Sequence, residues 1–122
     1  MTKQFTLLQL FSLVDGRLST NMDDVYSMLN HVCNDDLMTH HLPVAMNYLK
    51  EKKPVWLPIV ENTYETLGCT KETEFNECVR ILTANNEVMN IPQLKDECDT
   101  SDFGEYMVNN SLLLKHFGNA KV

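Results

Sequence analysis

Apolar residues recur along this chain at three- and four-residue intervals, and the intervals fall into six runs. The first holds Leu7, Leu8, Leu10, Phe11, Leu13 and Val14. Thr6 and Gln9 stand in front of it as a capping box, with Phe5 and Leu10 at the positions of a hydrophobic staple. A helix is therefore predicted to start at Leu7 and to stop at Gly16, after Asp15. It is apolar on most sides, which puts it near the centre of the fold.

Thr20 and Asp23 make a second box-like start, followed by a stripe of Met22, Val25, Tyr26, Leu29, Val32 and Cys33. Leu42, Ala45, Met46 and Leu49 repeat the spacing, with Pro43 confined to a first turn and Lys50, Lys52 and Lys53 at the end where a helix dipole favours cations. Trp56, Ile59, Val60, Tyr64 and Leu67 form the fourth run, stopped by Gly68. Phe75, Cys78, Val79 and Leu82 form the fifth, with Thr70 or Thr73 as its cap and Asn85-Asn86 as its end. Phe103, Tyr106, Met107, Asn110, Leu114 and Phe117 form the last, capped by Thr100 or Ser101 and ending at Gly118.

No segment alternates with period two for long. The expected fold is all-α, a compact irregular bundle of about six short helices in one domain over 1–122, without a sheet. The interval Val88–Leu94 is the one place where a strand pair would fit. A chain of 122 residues with 43% hydrophobic content can bury a core without disulfide or metal staples.

The charge is unevenly spread. Eleven acids face three bases between Glu61 and Glu105, a local net of −8 in a chain whose total is −7. Such a field repels phosphate backbones and attracts basic surfaces. The first two helices, joined by Gly16-Arg17-Leu18, have the outline of a helix-turn-helix, but Asn21-Met22-Asp23-Asp24 would meet the groove with acids. Direct nucleic-acid binding is not expected. The start of the chain has a signal-peptide look, yet its apolar run is short and interrupted by Gln9 and Ser12. No run reaches the roughly 18 apolar residues of a membrane span. A cytoplasmic setting with reduced thiols at Cys33, Cys69, Cys78 and Cys98 is the expectation.

Chemical motifs are scarce. No CxxC pair exists, and neither His31, His40-His41 nor the scattered cysteines match a zinc spacing, so neither metal nor cofactor is expected. Cys69 and Cys98 sit among acids that disfavour a thiolate nucleophile. Glu61/Glu65 and Glu74/Glu77 share helix faces, and their ordinary meaning is a solvated surface. The run Asp96–Asp102 fails as a calcium loop because Cys98 and Ser101 fall where a ligand and glycine are needed. Asp99 and Asp102 are expected to serve the start of the last helix.

What remains is a non-enzymatic binding protein. Its expected partner is a protein with a basic surface, of the nucleic-acid-processing kind, met through Glu72, Glu74, Glu77, Asp96, Glu97, Asp99 and Asp102. Two alternatives stand beside it: a helical adaptor that dimerises through an apolar helix face, and an enzyme using a buried carboxylate or cysteine. The block Leu10-Phe11-Ser12-Leu13-Val14-Asp15-Gly16-Arg17-Leu18-Ser19-Thr20, with Leu37-Met38-Thr39-His40-His41-Leu42-Pro43, resembles small proteins encoded by tailed bacteriophages. In general style the chain also resembles inhibitors of bacterial defence such as anti-CRISPR proteins. The resemblance implies a stoichiometric inhibitor in the host cytoplasm and transfers no functional residue.

Overall fold

Six α-helices form among the described residues, at the places the apolar spacing marks. They are α1 (Leu7–Val14), α2 (Met22–Cys33), α3 (Leu42–Lys52), α4 (Trp56–Leu67), α5 (Phe75–Ala84) and α6 (Phe103–Ala120). The computed structural model describes residues 1–120, with side chains as far as Ser111. Leu114 and Phe117, the last positions of the sixth stripe, lie outside the described side chains. No helix among the described residues is long and apolar enough to cross a membrane.

One feature departs from an all-helical reading. Strand β1 (Thr2–Thr6) pairs antiparallel with β2 (Val88–Pro92), in a register that sets Thr2 opposite Pro92 and Thr6 opposite Val88. The second strand falls in the interval where a pair would fit; its partner at the chain start carries no alternation to announce it. Of β1 only Phe5 is buried, and of β2 only Ile91. The ribbon is thus fixed by two apolar anchors and backbone pairing, and Pro92, which lacks an N–H, sits at its end.

Helix α1 is the hub. Leu7, Leu10, Phe11 and Leu13 are almost completely buried, and α1 packs on β1, α2, α4 and α5. Thr6 closes the capping box: Gln9 N–H donates to Thr6 Oγ1 at 3.2 Å, and Thr6 N–H donates to Gln9 Oε1 at 2.9 Å. The loop ahead of β2 supplies further acceptors for the first turn, with Leu7 N–H on Glu87 O at 2.9 Å and Leu8 N–H on Asn86 Oδ1 at 3.1 Å. One end of α1 is thereby tied to the end of α5, and both run on into the ribbon.

Several caps differ from the sequence expectation. Asn21, not Thr20, caps α2, accepting from Asp24 N–H at 2.8 Å, while the Thr20 hydroxyl bonds the Asp24 carboxylate. Met28 enters the core where Met22 stays 43% exposed. Thr73 does not cap α5; its hydroxyl donates to Gly68 O at 2.7 Å and accepts from Thr70 N–H at 3.1 Å, folding the 68–73 loop on itself. Ahead of α6, Phe103 N–H reaches Thr100 O at 3.1 Å and Tyr106 N–H reaches Asp102 O at 2.9 Å, and α6 continues past Gly118 to Ala120.

Other signals act as the spacing implied. Pro43 stands in the first turn of α3, and Lys50 and Lys52 in its last. Gly68 ends α4 at φ +86°, with open space where a Cβ would sit, so its backbone conformation alone asks for glycine. Tyr48 joins α3 to α6 through edge contacts with Phe103 at 4.9 Å and Tyr106 at 5.0 Å.

Candidate docking surface

The acids of the 61–105 stretch divide into those the fold uses and those it leaves free. Glu77 is held by Arg80, whose Nε donates to it at 2.9 Å. Asp96 pairs with the Met1 amine at 2.8 Å. Asp102 accepts from the Tyr48 hydroxyl at 2.7 Å and from Lys52 at 3.3 Å. The Tyr48 hydrogen bond is the main reason the Asp102 carboxyl lies below its ordinary value. Asp99 accepts from Ser101 N–H at 2.9 Å and is lowered by that backbone bond. Glu77, Asp96 and Asp102 thus have ion-pair partners inside the chain, while Asp99 has a local hydrogen bond alone.

Glu72 and Glu74 are exposed and have no ion pair among the described residues; Glu72 accepts only from the Thr70 hydroxyl, at 3.0 Å. Glu97 is also exposed and unpaired there, but it stands on the other side of the ribbon sequence, at the 3-10 turn Leu94–Asp96 that packs on α2. The structure adds two acids that sequence reasoning set aside as a solvated face. Glu61 and Glu65, one turn apart on α4, are exposed and border one cavity with Thr70 and Lys71. Their four-residue spacing placed them on one face; only the fold sets that face beside the 70–74 loop.

A salt-bridged clamp holds this edge. Arg17 grips Asp15 through Nε–Oδ1 at 2.7 Å and Nη2–Oδ2 at 3.2 Å. The same guanidinium donates to Thr73 O at 2.6 Å and Thr70 O at 2.9 Å, across more than fifty residues of sequence. Lys71 Nζ donates to Asp15 O and lies 3.9 Å from Asp15 Oδ2. Burial raises the Asp15 carboxyl, and the Arg17 hydrogen bonds with the Lys71 charge more than offset it, leaving it below its ordinary 3.8. Lys71 is thus bonded to Asp15 and Arg80 to Glu77, while Lys50 and Lys53 line a neighbouring groove with Glu61.

The cavity has a volume of about 250 Å³. Phe11 and Tyr64 stand at its base in an edge-to-face pair with centroids 5.3 Å apart, and Cys69 lies beside them. The Tyr64 hydroxyl is taken by Leu7 O at 2.6 Å. Burial pushes the Cys69 thiol up to about 11 and the Cys33 thiol up to about 12, and raises the Tyr48 and Tyr64 hydroxyls as well. No group of three or more His, Cys, Asp or Glu among the described residues is placed to hold a metal ion. His40 and His41 stack at 4.0 Å, and His41 Nδ1 accepts from Met38 N–H at 3.1 Å.

These buried thiols and phenols set an alkaline limit. Each keeps its proton in the folded chain beyond the pH at which the unfolded chain loses it, so the native state binds more protons and stability falls as pH rises. The window opens at the ordinary thiol value of 9.0 and runs through about 12. Urea unfolding between pH 7 and 11 is expected to show a midpoint falling steadily above pH 9; a flat profile would count against this burial.

Over residues 5–54 the chain is similar to a family described as Domain of unknown function (DUF7736). That span runs from β1 to just past α3 and ends before α4, so it includes the hub helix, Asp15 and Arg17 but none of the 61–105 acids. No curated protein and no solved structure matches the chain.

Proposed function

We propose that this protein is a non-catalytic binding protein whose acidic α4–α5 edge docks on a basic surface of a protein partner. The observation that carries the reading is that Glu61, Glu65, Glu72 and Glu74 are all exposed and have no ion pair among the described residues, while Lys71 in their midst is bonded to Asp15. Free carboxylates on neighbouring elements, held by a rigid clamp, give a fixed negative field that speeds encounter with a positive surface and selects it.

The partner class that fits is a nucleic-acid-handling protein, which offers a basic groove in place of which the acidic edge can sit. A bacterial defence component in the host cytoplasm is the specific form that the phage-like sequence blocks support. Nucleic acid itself is disfavoured by the same charge. The elevated thiols at Cys33 and Cys69 support binding over thiol catalysis, since a nucleophile needs a lowered value.

The wild-type chain immobilised as bait in bacterial lysate is expected to retain a basic protein at low salt and release most of it at several-fold higher salt, where exposed charges are screened. Retention that is indifferent to salt would overturn the electrostatic reading.

A further inference from the structure

We infer that the outer face of α4 pairs antiparallel with the same face of a second copy of this chain, about a twofold axis at Ile59. The inference needs no other partner and stands apart from the docking reading above.

Exposed apolar surface is the first observation. Val55, at the N-cap of α4, and Ile59, one turn on, are 67% and 53% exposed, and Pro58 beside them is exposed too. The core side of this helix is Trp56, Leu57, Val60 and Tyr64, so the three outer residues add nothing to the interior.

The order of charge along the helix is the second. Lys50 and Lys53 lie at its start, lining a groove with Leu57, Pro58 and Glu61, and Glu65 follows one turn beyond Glu61. Neither lysine has an ion pair among the described residues. Bases at the start and acids further on make the face self-complementary when two copies run antiparallel. A chain of net charge −7 repels its copies on average, but this face carries two bases and two acids.

Register is the third. Lys53 and Glu65 are each six residues from Ile59, so an axis there sets Lys53 opposite Glu65 of the second copy at both ends. Glu61 already has Lys50 and Lys53 beside it in its own chain, which leaves Glu65 to cross. Pro58, Glu61 and Glu65 follow one flank of the helix, and Val55 and Ile59 the other. An axis perpendicular to the paired helices keeps like flanks together. The charges therefore meet on one side, and Ile59 meets its own copy on the other. The helix is about 18 Å long, a small patch beside the roughly 800 Å² per partner of a stable interface, so the dimer is weak and forms at high concentration.

The test is sedimentation equilibrium of the purified full chain at low salt, up to millimolar concentration. A monomer–dimer equilibrium is expected for wild type. K53E or E65K alone sets like charges opposite each other at both ends and should raise the dissociation constant about tenfold. K53E/E65K together restore opposite charges and should recover most of that loss. I59R, on the axis itself, should abolish the dimer with its melting curve unchanged, and tests the same face without touching Lys53. A monomer at every concentration, a double reversal as weak as the singles, or a dimer that survives I59R overturns the pairing.

Discussion

Arg17→Ala is expected to destabilise the fold by about 3 kcal/mol, because the buried Asp15 carboxylate keeps only the residue-17 N–H and the more distant Lys71 ammonium. The Asp15 side chain is only 7% exposed, and Arg17 supplies two of its hydrogen bonds. The same substitution frees Thr70 O and Thr73 O, so the loop carrying Glu72 and Glu74 loses its anchor. Arg17 is itself 29% exposed, so solvent recovers part of the loss and the lower end of the range for broken buried pairs applies. Urea unfolding at neutral pH measures the cost. The pH dependence carries a second signature. Asp15 titrates below its ordinary value in the folded chain, so its contribution is present above the carboxylate range and lost as pH falls through it. The gap between wild type and R17A should therefore narrow toward acid pH; a gap that stays constant would show that Arg17 acts only by packing.

Phe11→Ala is expected to cost about 4 kcal/mol, the largest effect of any single truncation proposed for this chain. Phe11 is fully buried on the hub helix, packed edge-on against Tyr64 and beneath the Arg17 guanidinium. Removing the ring opens a void where α1 meets α4 and takes away the base of the cavity. Ile59→Ala on the outer face of α4, where Ile59 is 53% exposed, should change stability by no more than about 0.5 kcal/mol. Equal costs at the two positions would contradict the placement of α1 at the centre.

Helices were legible in this sequence because each buries a stripe, and stripes of Leu, Val, Tyr and Trp at 3.6-residue spacing leave a pattern along the chain. Thr6 and Gln9 fixed the start of α1 by reciprocal bonding, and Gly68 fixed the end of α4 by its positive φ. Strand β1 was not legible. Only Phe5 of its five residues is buried, and its partner lies over eighty residues away, so nothing local distinguishes it from an extended lead-in. Caps were partly misread for a related reason: Asn21, Thr20 and Thr73 all offer side-chain oxygens, and which one a backbone N–H takes depends on the path of the loop.

The acidic stretch was visible as a count but not as a surface. Its members are spread over α4, the 70–74 loop, α5, the 3-10 turn and the start of α6, and the fold consumes several of them. Asp96, Asp99, Asp102 and Glu77 turn to partners within the chain, whereas Glu61 and Glu65, dismissed as a solvated face, border the cavity held by the Asp15–Arg17 clamp. That clamp joins residue 17 to residues 70 and 73, and nothing in the sequence around Arg17 announces partners more than fifty residues away.

The claim that docking belongs to one edge, rather than to net charge, is tested most directly by removing equal charge from two places. E61Q/E65Q/E72Q/E74Q and D96N/E97Q/D99N/D102N each neutralise four acids, and both are compared with wild type as bait at low salt after their melting curves confirm folding. The edge account predicts that the first variant loses the salt-sensitive partner while the second retains most of it. Equal loss in both, or loss in the second alone, would contradict it.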